Sequence, residues 1–100
     1  MSILLNVEKI INSTSANDTD KGDLIFKEIL KSSKDGAEEI VLDFLEIQLV
    51  NTAFLNNAIG QLFDQSRFDL NKTRVKVTHM NRSMIPLLKE SIITANEKYS

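Results

Sequence analysis

The stretch from residue 39 to residue 63 constrains the fold most, because an apolar strand pattern is followed there by an amphipathic helix pattern. Residues 40–44 (IVLDF) are typical of a buried strand. Beyond them, apolar residues recur at helical spacing and are predicted to form the inner face of a helix: Phe54, Leu55, Ala58, Ile59, Leu62 and Phe63. A polar corner, Asn51-Thr52, lies between the two patterns. Because ligands of α/β domains often bind beyond the carboxyl ends of strands, this corner is the first candidate site.

The rest of the chain alternates strand and helix patterns. Strands are predicted over residues 3–11, 39–44 and 73–79, and helices over about 20–34, 52–65 and 83–98. Residues 12–22 are polar and predicted to form a loop, and the apolar connector 45–50 is expected to pack down. The order β, α, β, α, β, α predicts an α/β fold: a small mixed, partly parallel sheet packed with about three helices. A chain of 100 residues is expected to form a single domain, residues 1–100.

The strand patterns also predict positions in the sheet. The apolar run at 39–44 lacks alternation, so we expect it in the middle of the sheet with helices on both faces. In the third strand, Val75 and Val77 alternate with polar residues, which favours a place near an edge. The first strand has an alternative as a hairpin, with a break near Asn6 or Glu8.

Helix ends are indicated by capping residues. Asp20 is expected to cap the first helix, and Gly36 to follow it in a left-handed conformation. Ser83 is the expected cap of the last helix, because Pro86 then falls in the first turn. At the second helix, both Asn51 and Thr52 are able to cap.

Composition excludes several classes of function. Twelve basic and fourteen acidic residues give a net charge of −2, which argues against nucleic-acid binding. Neither a signal peptide nor an apolar stretch long enough to cross a membrane is found, so we expect a soluble, cytoplasmic protein. The chain has no cysteine and a single histidine, so no zinc site, no other metal site and no cofactor is expected.

Two further polar residues follow predicted strands. His79 is more often exposed or structural than a ligand when it has no partner His or Cys. Asp43 is more often a cap or turn acceptor than a general base. An enzyme would need Asp43, Asn51 and His79 to converge in one pocket. For Thr52, the alternatives are a cap alone or a hydroxyl at a positive helix end, where a phosphate is tolerated.

The pattern of residues 40–44, Ile47 and residues 51–55 resembles the central segment of STAS-like domains, relatives of bacterial anti-sigma factor antagonists. In those antagonists the corner reads Asp-Ser-Ser-Gly, and a partner kinase phosphorylates the first Ser. Matched to this chain, Asn51 takes the place of Asp and Thr52 that of the phosphorylated Ser. Ala53 and Phe54 depart from the motif, as does Asn51.

The resemblance implies a non-catalytic domain that binds and regulates a protein partner, a kinase-like or anti-sigma-like regulator, in a bacterial or phage context. Thr52 is the candidate phosphorylation site. The expected partner-binding residues are Asn51, Thr52, Asn56, Asn57, Gln61, Arg82 and Ser83. The alternative is a small-molecule or nucleotide-binding module. The oligomeric state stays open at this point.

Overall fold

The computed structural model describes residues 1–99. Its strands are β1 (Ser2–Asn6), β2 (Ser15–Ala16), β3 (Glu39–Asp43), β4 (Leu49–Val50) and β5 (Arg74–Thr78). Its helices are α1 (Val7–Ile11), α2 (Thr19–Lys34), α3 (Thr52–Ala58) and α4 (Ile85–Tyr99), with a 3₁₀ turn at Gly60–Phe63. The predicted α/β fold is confirmed, with four α-helices where about three were expected.

The main sheet has the strand order β1-β3-β5, and both pairings are parallel. The prediction that residues 39–44 form the middle strand is therefore correct, as is the edge position of the third predicted strand. A second, two-stranded parallel sheet joins β2 to β4. It ties the segment after α1 to the connector before α3.

One face of the main sheet carries the core. The residues on this face are Ile3, Leu5, Ile40, Leu42, Val75 and Val77, and all belong to or pack against the buried apolar cluster. Helix α2 packs on α3, and α3 packs on α4, so these helices form one layer. The strand order explains this arrangement, because successive right-handed crossovers that advance in one direction place their helices on the same side of the sheet.

The opposite face of the sheet carries no helix among residues 1–99, so the prediction of helices on both faces is wrong. We call this surface the open face; it consists of Ser2, Leu4, Asn6, Glu39, Val41, Asp43, Arg74, Lys76 and Thr78. Leu4 is 59% exposed. Val41 is half-buried and does not belong to the core. The apolar run of β3 therefore reflects its central position between two strands, not a second layer of helices.

The first predicted strand is too long. Strand β1 ends at Asn6, whose side chain caps α1 by accepting a hydrogen bond from the Lys9 backbone N–H at 2.9 Å. Val7 and Ile11 are both buried on one side of this short helix. Their i, i+4 spacing is the helical signal hidden in the run of β-branched residues.

The region after α1 is a loop except for β2, and α2 begins earlier than predicted. Its cap is Asp18, not Asp20: the Asp18 carboxylate accepts a hydrogen bond from the Lys21 N–H at 2.8 Å. The other end agrees with the prediction, since Gly36 has a φ of +99°, in the left-handed region that glycine favours.

Helix α3 is shorter than the second predicted helix, and α4 begins later than the last predicted helix. Helix α3 ends at Ala58, and the chain continues as the 3₁₀ turn. Pro86 lies in the first turn of α4, as expected. Ser83 does not cap α4, contrary to the prediction. Its backbone N–H and its hydroxyl both donate to Asn81 Oδ1 instead.

Candidate functional site

The corner between β4 and α3 is held by Asn51. Its Oδ1 atom accepts a hydrogen bond from the Phe54 N–H at 2.9 Å, which makes it the cap of α3. Its Nδ2 atom donates to the backbone oxygen of Asn17 at 2.8 Å. One carboxamide thus fixes both the start of α3 and the loop before α2.

Aromatic packing positions this corner against the sheet. The rings of Phe44, directly after β3, and Phe54, in the first turn of α3, meet edge to face with centroids 6.5 Å apart. Both side chains are fully buried. The start of α3 is therefore fixed at the carboxyl end of the middle strand.

Thr52 is the first residue of α3 and is half-buried. It is not a cap, because Asn51 fills that role alone. Within residues 1–99 the Thr52 hydroxyl makes no hydrogen bond. The side chain is accessible in part and its hydroxyl is not needed as a cap, so phosphorylation at Thr52 stays a prediction.

The predicted partner-binding residues further along α3 and in the 3₁₀ turn are not all exposed. Asn56 is exposed, but Asn57 and Gln61 are half-buried. Both donate through their side-chain amides to the Asp23 carboxylate of α2, at 3.0 and 3.4 Å. The reason is the close contact of α2 with α3, which turns this side of α3 toward α2. Partner binding by Asn57 and Gln61 stays a prediction, but their amides already serve the helix contact.

The turn before α4 carries the other two predicted partner-binding residues. Arg82 and Ser83 are both exposed. The turn follows β5 directly, as α3 follows β3 through its connector, so both lie beyond the carboxyl ends of parallel strands. Their role in partner binding remains a prediction.

Two exposed leucines lie in the connector that leads to α3. Leu45 is 47% exposed and Leu49 is 51% exposed, and within the connector 45–50 only Ile47 and Val50 are buried. The prediction that this connector packs down is therefore confirmed for these two residues alone. The N–H of Leu45 donates to Asp43 Oδ1 at 3.0 Å. The corner thus combines apolar side chains with the polar groups of Thr52 and Asn56.

A contact between Asp43 and His79 is the feature that sequence reasoning missed. His79 Nδ1 lies 2.8 Å from Asp43 Oδ1. The carboxylate is buried, whereas the imidazole side chain is 59% exposed. The register gives the signal in retrospect: Asp43 pairs with Thr78, so the next residue of the third strand comes to its side. His79 has a φ of +56°, a conformation that few non-glycine residues adopt.

The three residues that an enzyme would need do not form one set. Asp43 and His79 are in contact, but the Asn51 carboxamide is bonded to Asn17 and Phe54 instead. No cluster of three or more His, Cys, Asp or Glu suited to a metal ion occurs among residues 1–99.

A groove of about 530 Å³ lies between the 3₁₀ turn, the segment after it and the end of α4. Phe63, Phe68 and Tyr99 contribute aromatic rings to its wall, and Asn71 and Asn96 contribute amides. None of the predicted site residues lines it.

Together these features define a small α/β domain with a parallel sheet, one helical layer and a polar corner after the middle strand. Residues 21–84 match the family described as "STAS-like domain of unknown function (DUF4325)", and the chain belongs to this family. The resemblance inferred from the sequence is thereby confirmed. No curated protein and no solved structure matches the chain significantly. Among residues 1–99, no helix combines the length and apolar character needed to cross a membrane.

Proposed function

We propose that this chain is a non-catalytic, regulatory interaction domain that acts in a bacterial or phage context and binds a protein partner through the corner at the start of α3. Membership in a STAS-like family supports this proposal. So does the composition of the corner, since Leu45 and Leu49 offer exposed apolar area in the connector that leads to Thr52 and Asn56. Apolar groups surrounded by polar ones are typical of protein–protein contacts.

The observation that carries the regulatory part of the proposal is the unused hydroxyl of Thr52. Asn51 supplies the cap, so Thr52 can be modified without loss of a hydrogen bond. A phosphate there adds a charge of about −1.5 to −2, which the adjacent backbone N–H groups tolerate. A partner docked on the corner meets a bulky, hydrated anion, so a kinase-like regulator switches binding off at little cost in stability.

Absence of catalysis is part of the proposal. The contact of Asp43 with His79 resembles the base and its orienting carboxylate in hydrolases, but such chemistry needs a nucleophile within reach of the imidazole. No hydroxyl is hydrogen-bonded to His79 among residues 1–99. The Asp43–His79 pair is assigned to holding the segment that follows β5 against the sheet.

The groove beside α4 supports a second candidate function, a small-molecule binding module. Its volume falls within the range of about 300–1,000 Å³ common for ligand pockets. Aromatic rings with neighbouring amides suit a flat heteroaromatic group such as a nucleobase. A thermal-shift screen of nucleosides and nucleotides tests this candidate, because a ligand that binds only the folded state raises the melting temperature.

The main proposal is tested with Thr52→Glu and a matched control, Thr19→Glu. Thr19 is the first residue of α2 behind the cap Asp18, as Thr52 is the first residue of α3 behind Asn51. Wild-type chain and both variants are used to capture proteins from the native host, followed by quantitative mass spectrometry. We expect at least one protein retained by wild type and Thr19→Glu and lost with Thr52→Glu. Capture that is equal for all three chains, at equal melting temperature, contradicts the proposal.

A further inference from the structure

The open face raises a question of its own, because parallel sheets are almost always covered on both faces. Here three parallel strands have helices on one side only, and Leu4 on the other side is 59% exposed. Val41, next to Leu4 in the register, points to the same side. The open face shares none of the residues Leu45, Leu49, Thr52 and Asn56 on which the proposed α3 corner rests.

Charge is distributed unevenly across the open face. Strand β5 contributes Arg74 and Lys76, whose side chains are 75% and 60% exposed. The Glu39 carboxylate lies between them, 3.7 Å from Arg74 and 3.3 Å from Lys76. A single carboxylate neutralises only one of these two positive charges.

The second carboxylate of the open face, Asp43, also lies on β3 and is in contact with His79. Strand β1 presents no charged side chain on this face, only Leu4 between the polar Ser2 and Asn6. The open face is therefore uncharged along β1 and carries its two cations along β5.

This asymmetry disfavours a second copy of the chain as the occupant. Two open faces related by a two-fold axis stack in one of two ways. If β5 lies over β5, the two strands run antiparallel, so Lys76 meets its own copy and Arg74 lies opposite Thr78. If β5 lies over β1, the Lys76 ammonium is buried against Leu4 with Glu39, which it shares with Arg74, as its counter-charge, and this burial costs free energy. Neither arrangement places an acidic side chain of the second copy opposite Lys76.

The dimensions of the open face match one helix. Its outer strands lie two strand spacings apart, about 10 Å, which is close to the diameter of a helix with its side chains. Five residues of strand span about 17 Å, the length of a helix of about 11 residues. A helix laid along the strands covers Leu4 and Val41 with an apolar stripe, and its edge beside β5 reaches Arg74 and Lys76.

We propose that the open face binds an amphipathic helix of a partner protein whose apolar stripe covers Leu4 and Val41 and whose acidic flank pairs with Arg74 and Lys76. Burial of the leucine and the valine supplies the attraction, and the carboxylates fix the side on which the helix lies. This contact supplies the second layer that the chain does not provide for its own sheet.

The probe is a capped, helix-forming peptide of about 15 residues with leucines at spacings of three and four and glutamates along one flank. Its counterpart carries lysines at the same positions. Binding is measured by fluorescence anisotropy of the labelled peptide. We expect the glutamate peptide to bind the wild-type chain, with an affinity that falls as salt is added, and the lysine peptide to bind at least about tenfold more weakly.

Two variants and one control locate the binding surface. Leu4→Gln and Lys76→Gln are each expected to weaken binding of the glutamate peptide by about tenfold or more. Leu24→Gln removes a leucine of α2 that is 46% exposed on the other side of the sheet, and is expected to bind as wild type does. Melting temperatures check that each variant is folded. If Leu4→Gln does not fold, binding of the peptide to Lys76→Gln tests the proposal.

Several outcomes overturn the proposal. Failure of the glutamate peptide to bind does so, as does equal binding of both peptides or binding that ignores Leu4→Gln and Lys76→Gln. A wild-type dimer that Leu4→Gln converts to a monomer assigns the open face to a second copy instead. Thr52→Glu is expected to leave peptide binding unchanged, so this result and the test of the α3 corner succeed or fail separately.

Discussion

Gly22 of α2 lies directly against the backbone of Phe54 in α3. A Cβ atom at position 22 would be 2.7 Å from the Phe54 carbonyl oxygen and 2.8 Å from Asn57 Cβ. Glycine therefore sets how closely the two helices approach, and the hydrogen bonds from Asn57 and Gln61 to Asp23 depend on the same approach.

Replacement of Gly22 by alanine should separate α2 from α3 and destabilise the domain. We expect Gly22→Ala to lower the free energy of unfolding by about 1–3 kcal/mol, the usual cost of overpacking. Gly60→Ala is the control, because a Cβ there would meet Ala95 Cβ at an ordinary 3.7 Å. Urea denaturation measures both. Equal losses for the two variants would show that the close approach at Gly22 is not what matters.

The cap of α3 should depend on Asn51 and not on Thr52. Asn51→Ala removes the bond to the Phe54 N–H and is expected to cost about 0.5–2 kcal/mol. Thr52→Ala removes no hydrogen bond and should stay within about 0.5 kcal/mol of wild type. Thermal or urea unfolding separates the two. A larger loss with Thr52→Ala would reassign the cap.

The two faces of β3 should differ in their sensitivity to truncation. Leu42 is fully buried among the helices, so Leu42→Ala is expected to cost about 2–5 kcal/mol. Its neighbour Val41 lies on the open face, and Val41→Ala should cost less than about 1 kcal/mol. A comparable loss at Val41 would mean that the open face is covered in solution.

The stability of the domain at acid pH should depend on the hydrogen bond between Ser66 and Asp64. The hydroxyl of Ser66 donates to Asp64 Oδ1 at 2.7 Å, and this bond, with the Ser66 N–H and Arg67, holds the pKa of Asp64 below its ordinary value. A lowered pKa in the folded state adds stability that is full above the ordinary pKa and is lost as the pH falls through the folded one. Ser66→Ala should raise the pKa of Asp64 toward its ordinary value.

Carboxyl chemical shifts followed by NMR through an acid titration measure this change. Ser83→Ala is the control, because Ser83 makes the corresponding bonds to an amide oxygen of Asn81 and leaves Asp64 untouched. An unchanged Asp64 pKa in Ser66→Ala would assign the shift to the backbone N–H and Arg67.

The sequence predicted those parts of the fold that a strong local pattern specifies. The apolar run of β3, the helix predicted over about 20–34 and the left-handed position of Gly36 are such patterns, and each is confirmed. The prediction of a strand over residues 3–11 was wrong at Val7–Ile11, because β-branched residues favour strands. The cap at Asn6 and the burial of both side chains stabilise a helix there instead.

The candidate site was predictable only in part, because its contacts join residues distant in the chain. Asn51 as the cap of α3 follows from its place before the helix. The contacts of Asp43 with His79 and of Asn57 with Asp23 follow from strand register and helix approach, which no local pattern specifies. The open face was missed because a central strand and a doubly covered strand look alike in sequence.

The parallel order of β1, β3 and β5 also has a consequence for synthesis on the ribosome. Strand β3 can pair with β1 once α2 has emerged, but its other edge waits for β5. At roughly 5–20 residues per second, the chain between Asp43 and Thr78 takes about 2–7 s to make. During that interval the nascent protein holds a hydrophobic strand with one unpaired edge, the kind of surface that recruits chaperones or aggregates. Synonymous codons that slow this stretch should therefore lower the yield of folded protein.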